Sequence, residues 1–155
     1  GNGYDVHRFS EGSSLTLCGI IIPHSFSLKG HSDADVGLHA LTDAVIGAAG
    51  KGDIGTYFPS DEKEWQDTPS HIFLRHAKDL VKEVNGTILS VDVTIVCEEP
   101  RIARYNSEMV ARISEILSIE VSRVNVKGKT TDKLGFTGRK EGIAAYATAT
   151  VLIAP

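Results

Sequence analysis

Asp5 and His7 stand one residue apart in Tyr4-Asp5-Val6-His7-Arg8, a run whose composition suits a strand. Side chains alternate across a strand, so the two project from the same side, about 6 to 7 Å apart along it. A carboxylate and an imidazole so placed can share one ion. His39 lies within a stretch of helical spacing, and a third donor there would complete an Asp, His, His set, chemistry that zinc accepts. Three protein ligands leave one position open, which marks a zinc that meets substrate rather than a closed structural one. On spacing alone two plainer readings stand beside this: Asp-x-His as a surface pair, and His39 as a core residue with satisfied hydrogen bonds. Asp35 and Asp43 each lie four residues from His39, on its side of the helix, and either could orient the imidazole or simply face solvent.

His31-Ser32-Asp33-Ala34-Asp35 occupies the expected entrance of that helix, where free N–H groups and the positive end of the dipole favour an anion. A phosphate resting there and plain capping chemistry both fit, and His31 favours the phosphate because a cap needs no imidazole. Farther along, Lys127-Gly128-Lys129-Thr130-Thr131-Asp132-Lys133 and Gly135-Phe136-Thr137-Gly138-Arg139 gather glycines, hydroxyls, cations and one carboxylate. Glycines admit close backbone approach, threonines and N–H groups donate to phosphate oxygens, and Asp132 could hold a hard cation such as Mg²⁺ between two phosphates. The spacing is not that of a Walker loop, and a surface turn is the other reading. His24, His71 and His76 have no partners at useful spacing and are expected on the surface or on helices.

These groups need elements to hold them. A first strand is expected over Tyr4 to Arg8, with an antiparallel partner near Leu15 to Ile22 after turn signals at Glu11 to Ser14. Val36, Leu41, Ala44, Val45 and Ala48 predict a helix over Ser32 to Gly50, capped by Ser32 or Asp33 and stopped by Gly50. The loop from Lys51 to Pro69 is long enough to close over a ligand. Ser70 then caps a second helix, expected to be structural, with Phe73, Ala77, Leu80, Val81 and Val84 on one face. Val91, Val93 and Ile95 alternate as in a half-buried strand ending at Glu98-Glu99-Pro100; a helix over Tyr105 to Leu117 and a strand over Val124 to Val126 follow. Ile143 to Ile153, apolar or small nearly throughout, suits a strand buried on both faces or lining a subunit interface. The sum is one α+β domain over residues 1–155, in two layers, with a mixed sheet and helices on one face.

The chain has 155 residues, 41% of them hydrophobic and 23% charged, the balance of a globular domain able to build a core. A net charge of -4 argues against a nucleic-acid footprint, so any phosphate must be held locally. No run approaches the roughly 20 apolar residues of a membrane span, and the start lacks the character of a signal peptide, though without a Met it can be a trimmed one. Cys18 and Cys97 lie in apolar runs and are expected as reduced, buried thiols in a reducing compartment.

Taken in order, Tyr4-Asp5-Val6-His7-Arg8-Phe9, the run His31 to Ala44, Gly52-Asp53-Ile54-Gly55 with Phe58-Pro59, and Thr130 to Gly142 resemble one family over essentially the whole chain. That family is 2-C-methyl-D-erythritol 2,4-cyclodiphosphate synthase, of non-mevalonate isoprenoid synthesis. The resemblance implies a homotrimer with active sites between subunits, in bacterial cytoplasm or plastid stroma. It implies zinc on Asp5, His7 and His39, substrate contacts from Asp5, Val6 and His7, and His31 and Ser32 meeting phosphate. It further implies that Asp53, Ile54 and Gly55, then Phe58, Pro59, Ser60, Asp61 and Glu62, meet the methylerythritol end. Cys97, Glu98, Glu99, Pro100, Arg101, Ile102 and Ala103, together with Lys129, Thr130, Thr131 and Asp132, would hold cytidine diphosphate. Asp132 would also place Mg²⁺ or Mn²⁺, and Phe136 and Arg139 complete the set. Four positions depart from the family pattern: Asp132 replaces a usual Glu, Ser60 a usual Asp, Cys18 a common Gly and Arg101 a frequent Lys.

The implied reaction converts 4-diphosphocytidyl-2-C-methyl-D-erythritol 2-phosphate into the cyclic diphosphate and CMP. The 2-phosphate attacks the β-phosphorus of its own molecule, and because its second pKa is about 6 it arrives ionised and needs no strong base. The task is to bring two anions together, with His31 and Thr130 donating to developing charge and the Gly55 to Pro69 loop excluding water. Two rivals are a zinc phosphohydrolase of a nucleoside diphosphate derivative, which would give a linear product, and a nucleotide-binding module, for which the Asp5, His7, His39 set would be superfluous.

Overall fold

The computed structural model describes residues 1–154. The chain opens with β1 (Asn2–Ser10), β2 (Ser14–Leu17), β3 (Ile20–Pro23) and the short β4 (Ser27–Leu28). It continues through α1 (Val36–Ala48), α2 (Ile54–Tyr57) and α3 (Ser70–Glu83) to β5 (Gly86–Val96). It ends with α4 (Asn106–Leu117), β6 (Val124–Lys129), α5 (Gly135–Gly138) and β7 (Gly142–Ile153). A five-stranded sheet runs in the order β4-β1-β7-β5-β6, antiparallel except for the parallel pair β5 and β6, while β2 and β3 form a separate hairpin.

This corrects the expected opening hairpin. Leu15 to Ile22 is not one strand beside β1; it doubles back on itself at Cys18-Gly19, both with positive φ (50° and 78°). Two such residues between paired strands are the geometry of a tight two-residue hairpin turn. The partners of β1 are instead β4 and β7, with Tyr4 opposite Tyr146 and His7 opposite Ile143.

Alternation decides which side of the sheet is covered. On β7, Ala145, Ala147 and Ala149 are buried while Tyr146 and the threonines between them are exposed. So within the single chain β7 is open on one face from Tyr146 onward, although Ala144 on that face is buried, and of the two readings a strand lining a subunit interface is the one that remains. α1 lies over β1 and β7, where small residues allow a close approach. Gly3 sets the limit: a Cβ there would stand 1.9 Å from the carbonyl oxygen of Ala40, so only glycine lets α1 come this near β1. α3 packs on α1 and β5, and α4 on β6 and α3, giving two layers around one continuous core.

The first helix begins later than Ser32. Its first helical residue is Val36 and its N-cap is Asp35, whose side chain accepts the Leu38 N–H at 2.9 Å. Residues 31–34 therefore form a loop before the helix. Asp35 is fully buried and also accepts the N–H groups of Cys18 (2.8 Å) and Gly19 (2.6 Å), which ties the hairpin turn to the helix entrance. Burial pushes its carboxyl up to about 6, with the Asp33 charge adding to the rise and the three N–H donors opposing it. Cys18 and Cys97 are both buried free thiols. No helix among the described residues is long and apolar enough to cross a membrane.

Candidate metal centre and active site

β1 and α1 bring three side chains to one point. Asp5 Oδ2 lies 2.9 Å from His7 Nε2 and 3.2 Å from His39 Nδ1, and the two imidazole nitrogens are 3.1 Å apart. Asp5 and His7 share a strand face, as their spacing requires, and the close packing permitted by Gly3 lowers His39 onto them. His7 Nδ1 donates to the Lys29 carbonyl at 2.8 Å, which leaves the Nε2 lone pair facing Asp5. A carboxylate and two imidazole nitrogens thus converge on one small volume, an electron-rich arrangement that a cation would resolve.

The trio fits a metal. Donors about 2.0–2.1 Å from a tetrahedral zinc are roughly 3.3 Å from one another, close to the separations found here. All three residues are half-buried, and their donor atoms lie within 4.8 Å of one another. Burial pushes the Asp5 carboxyl up, but the hydrogen bonds and charge of His39 and His7 outweigh it, so the carboxyl is held well below its usual range. Burial likewise opposes charge on His7, and the bond to Asp5 overrides it and raises the imidazole.

A cavity of about 290 Å³ opens over the trio. His31 and Ser32 line it from the loop before α1, and Ile54, Gly55, Phe58 and Ser60 from α2 and the loop after it. Asp43 positions that wall by accepting the Ile54 N–H at 2.7 Å. Asp53 caps α2 through Thr56 at 2.9 Å. Asp61 and Glu62 line an adjoining cavity with His31 and Ser60. The back wall is aromatic: Phe58 meets Phe73 at 4.5 Å and Trp65 at 4.8 Å between ring centroids.

Several expectations need correction. Neither Asp35 nor Asp43 hydrogen-bonds His39, whose ring nitrogens face Asp5, His7, Ser32 and Ser70; Asp35 takes three backbone N–H groups and Asp43 that of Ile54. The α1 N-terminus is no open anion site either, since Asp35 fills it and the residues from Asp35 to Leu38 are buried. Val6 points to the opposite sheet face from its neighbours and lines a different cavity, with Arg8 and Phe136. α3 is more than structural, for it sends Ser70 to His39 and Phe73 into the cavity wall. The sequence offers Ser70 and Phe73 only as the cap and apolar face of a structural helix and does not single out Trp65; the aromatic content of the 58–73 stretch is the one signal toward this wall. His76 lies on a helix, α3, as expected, and there its ring packs on Tyr57 and Phe58 while its Nε2 is buried without a partner.

The second group of sequence-identified residues gathers elsewhere. Glu98 Oε1 accepts the N–H groups of Thr131 and Lys133, both at 3.3 Å, and the Cys97 N–H donates to the Lys129 carbonyl at 3.0 Å, so the 97–103 and 129–132 segments lie side by side. Within them the Cys97 and Ile102 side chains are buried, and burial pushes the Cys97 thiol up to about 12. Pro100 follows a cis peptide bond, Glu99 pairs with Lys140, and Arg101 and Ala103 are exposed. Thr130 and Asp132 are exposed on the loop, as are Phe136 and Arg139, the latter paired with Glu141. No residue of these two segments lines the cavity over the metal trio.

Comparison with known proteins agrees with this geometry. The model of the YgbB family matches residues 1–152. A bifunctional enzyme IspD/IspF of Bartonella henselae is 57% identical over 152 residues, covering 98% of this chain and 38% of that protein. The chain thus spans about two fifths of the length of such curated relatives. Among solved structures, the bifunctional IspDF of Campylobacter jejuni is 39% identical with a TM-score of 0.95, over 99% of this chain and 42% of that one. A Plasmodium falciparum IspF solved as a CDP complex is 37% identical with a TM-score of 0.84, over 99% of this chain and 94% of its own. A 2C-methyl-D-erythritol-2,4-cyclodiphosphate synthase is 34% identical with a TM-score of 0.89, over 98% and 99% of the two chains.

Proposed function

The chain belongs to the YgbB family, and from that premise we propose that it closes 4-diphosphocytidyl-2-C-methyl-D-erythritol 2-phosphate into 2-C-methyl-D-erythritol 2,4-cyclodiphosphate and releases CMP. The observation that carries the reading is the convergence of Asp5, His7 and His39 beneath a cavity whose rim holds His31 and Ser32. One oxygen of the 2-phosphate forms a bond to the β-phosphorus, and the bond from that phosphorus to the bridging oxygen breaks. The electron pair leaves on CMP. No water is consumed and no proton need move, so the residues have positioning and charge to supply rather than acid–base work.

Asp5, His7 and His39 would hold zinc, which when bound supplies fixed positive charge against the crowded phosphate oxygens. His31 and Ser32 donate to the phosphate that reacts. Ile54, Gly55 and Phe58 take the methylerythritol carbons, with Ser60, Asp61 and Glu62 near its hydroxyls and Asp53 and Pro59 shaping that wall. The aromatic wall of Phe58, Phe73 and Trp65 keeps out water that would otherwise open the diphosphate, with the 55–69 loop as lid.

The 97–103 and 129–132 segments receive cytidine diphosphate, mostly through backbone groups, with Thr130 donating to the transferred phosphoryl group and Asp132 holding Mg²⁺ or Mn²⁺. Because these segments lie outside the cavity over the trio, the complete site combines the metal half of one chain with the nucleotide half of a neighbour in a homotrimer. The uncovered sheet face, with Tyr4 and Tyr146 about half exposed, supports that assembly. The test is CMP release from this substrate by metal-stripped and zinc-restored protein in Mg²⁺. Activity that returns with zinc supports the reading, and activity indifferent to zinc removal contradicts it.

A further inference from the structure

His39 has a second side. Its Nδ1 faces Asp5 and His7, while its Nε2 lies 2.8 Å from Ser70 Oγ and 3.0 Å from Ser32 Oγ. A neutral imidazole that offers Nδ1 to a metal carries its proton on Nε2, so this N–H must donate to a serine. The two serines are not equivalent. Ser70 is fully buried and its hydroxyl donates to Asp33 Oδ1, an acceptor-only group. The hydroxyl hydrogen is therefore committed, and the Ser70 lone pairs are left for His39. Asp33 is held in turn by the Ser70 N–H at 3.0 Å and the Asp35 N–H at 3.1 Å, so the carboxylate is fixed by the start of α3 and by its own loop. Ser32 accepts only the Ala34 N–H at 3.3 Å besides its contact with His39, and it lines the cavity, which Ser70 does not.

We propose that Ser70 and Asp33 are positioning residues for the metal centre, a relay from His39 Nε2–H through the Ser70 hydroxyl to the Asp33 carboxylate. The relay fixes the tautomer and ring orientation that aim Nδ1 at the ion and strengthens that nitrogen as a donor. With His39 served by Ser70, the Ser32 hydroxyl is free to turn to substrate phosphate. This inference rests on the reading of Asp5, His7 and His39 as metal ligands.

The experiment is a zinc titration of metal-stripped wild type, S70A, D33N and S32A against a chromophoric chelator, with visible spectra of the cobalt-loaded proteins as a second readout. S70A and D33N are expected to bind zinc roughly 10- to 100-fold more weakly than wild type, with altered cobalt bands and with much of kcat restored at saturating zinc. S32A is expected to keep wild-type zinc affinity and cobalt bands while raising KM. Circular dichroism of each metal-free variant verifies folding. If S70A does not fold, D33N carries the test, because its amide oxygen can still accept the Ser70 N–H while the carboxylate is gone. Wild-type zinc affinity and cobalt bands in a folded S70A, or in D33N where S70A does not fold, overturn the relay. A wild type that binds no zinc overturns the metal reading itself, and the wild-type titration keeps the two failures apart.

Discussion

Asp35 carries no chemistry toward substrate, yet it joins the hairpin turn at Cys18 and Gly19 to the helix that carries His39. Its cost is electrostatic. The carboxyl is raised from its ordinary value of 3.8 to about 6 in the folded chain. A group with a higher pKa folded than unfolded binds more protons in the folded state, so its stabilising contribution is full below pH 4 and is lost as the pH rises through 6. The expected loss is about 3 kcal/mol, from two pKa units at 1.36 kcal/mol each. Urea denaturation of wild type and Asp35→Asn between pH 4 and 8 checks this. The stability advantage of wild type over the variant should shrink across that window, and a difference independent of pH would contradict it. Ser70 teaches a related lesson about legibility. A serine opening a helix reads as a cap in sequence, but here Asp33 from a distant loop accepts the Ser70 N–H, which leaves the hydroxyl for the relay to His39.

At the scale of elements, the metal trio depends on how near α1 lies to β1. Gly3→Ala would push a methyl into the Ala40 carbonyl, adjacent in sequence to His39. Overpacking of this kind costs about 1–3 kcal/mol, and the displaced helix should loosen zinc binding although no ligand has changed. Thermal melts and chelator competition on the variant measure both effects; a stable variant with wild-type zinc affinity would show that the close approach does not matter. Much of this level was legible in sequence. Helical spacing located α1, α3 and α4, alternation located β5, and Asp5 and His7 on one strand face followed from period two. What escaped was tertiary. The 15–22 segment reads as one apolar strand because a two-residue turn needs only Cys18 and Gly19 to adopt positive φ, and Cys18 is a poor signal for that. The start of α1 is hard to place from sequence because three capping residues, Ser32, Asp33 and Asp35, follow closely, and the winner is the one buried against the hairpin.

At the scale of the molecule, the proposed reading places the metal half of the site on one face of the chain and the nucleotide half elsewhere, in the 97–103 and 129–132 segments. The open sheet face offers Tyr4 tilted against Tyr146, 4.7 Å between ring centroids, and Leu152 at 60% exposure. A charge there should oppose burial against a second copy. Tyr146→Arg is therefore expected to sediment as a monomer, to bind zinc as wild type does, and to turn over substrate far more slowly. A monomer with full activity would show that a single chain suffices. The most direct test of the whole account is phosphorus NMR of the product formed from 4-diphosphocytidyl-2-C-methyl-D-erythritol 2-phosphate with Mg²⁺, before and after zinc chelation. The account predicts CMP together with a cyclic diphosphate whose formation stops on chelation; CMP with a linear bisphosphate, or unchanged substrate, would contradict it.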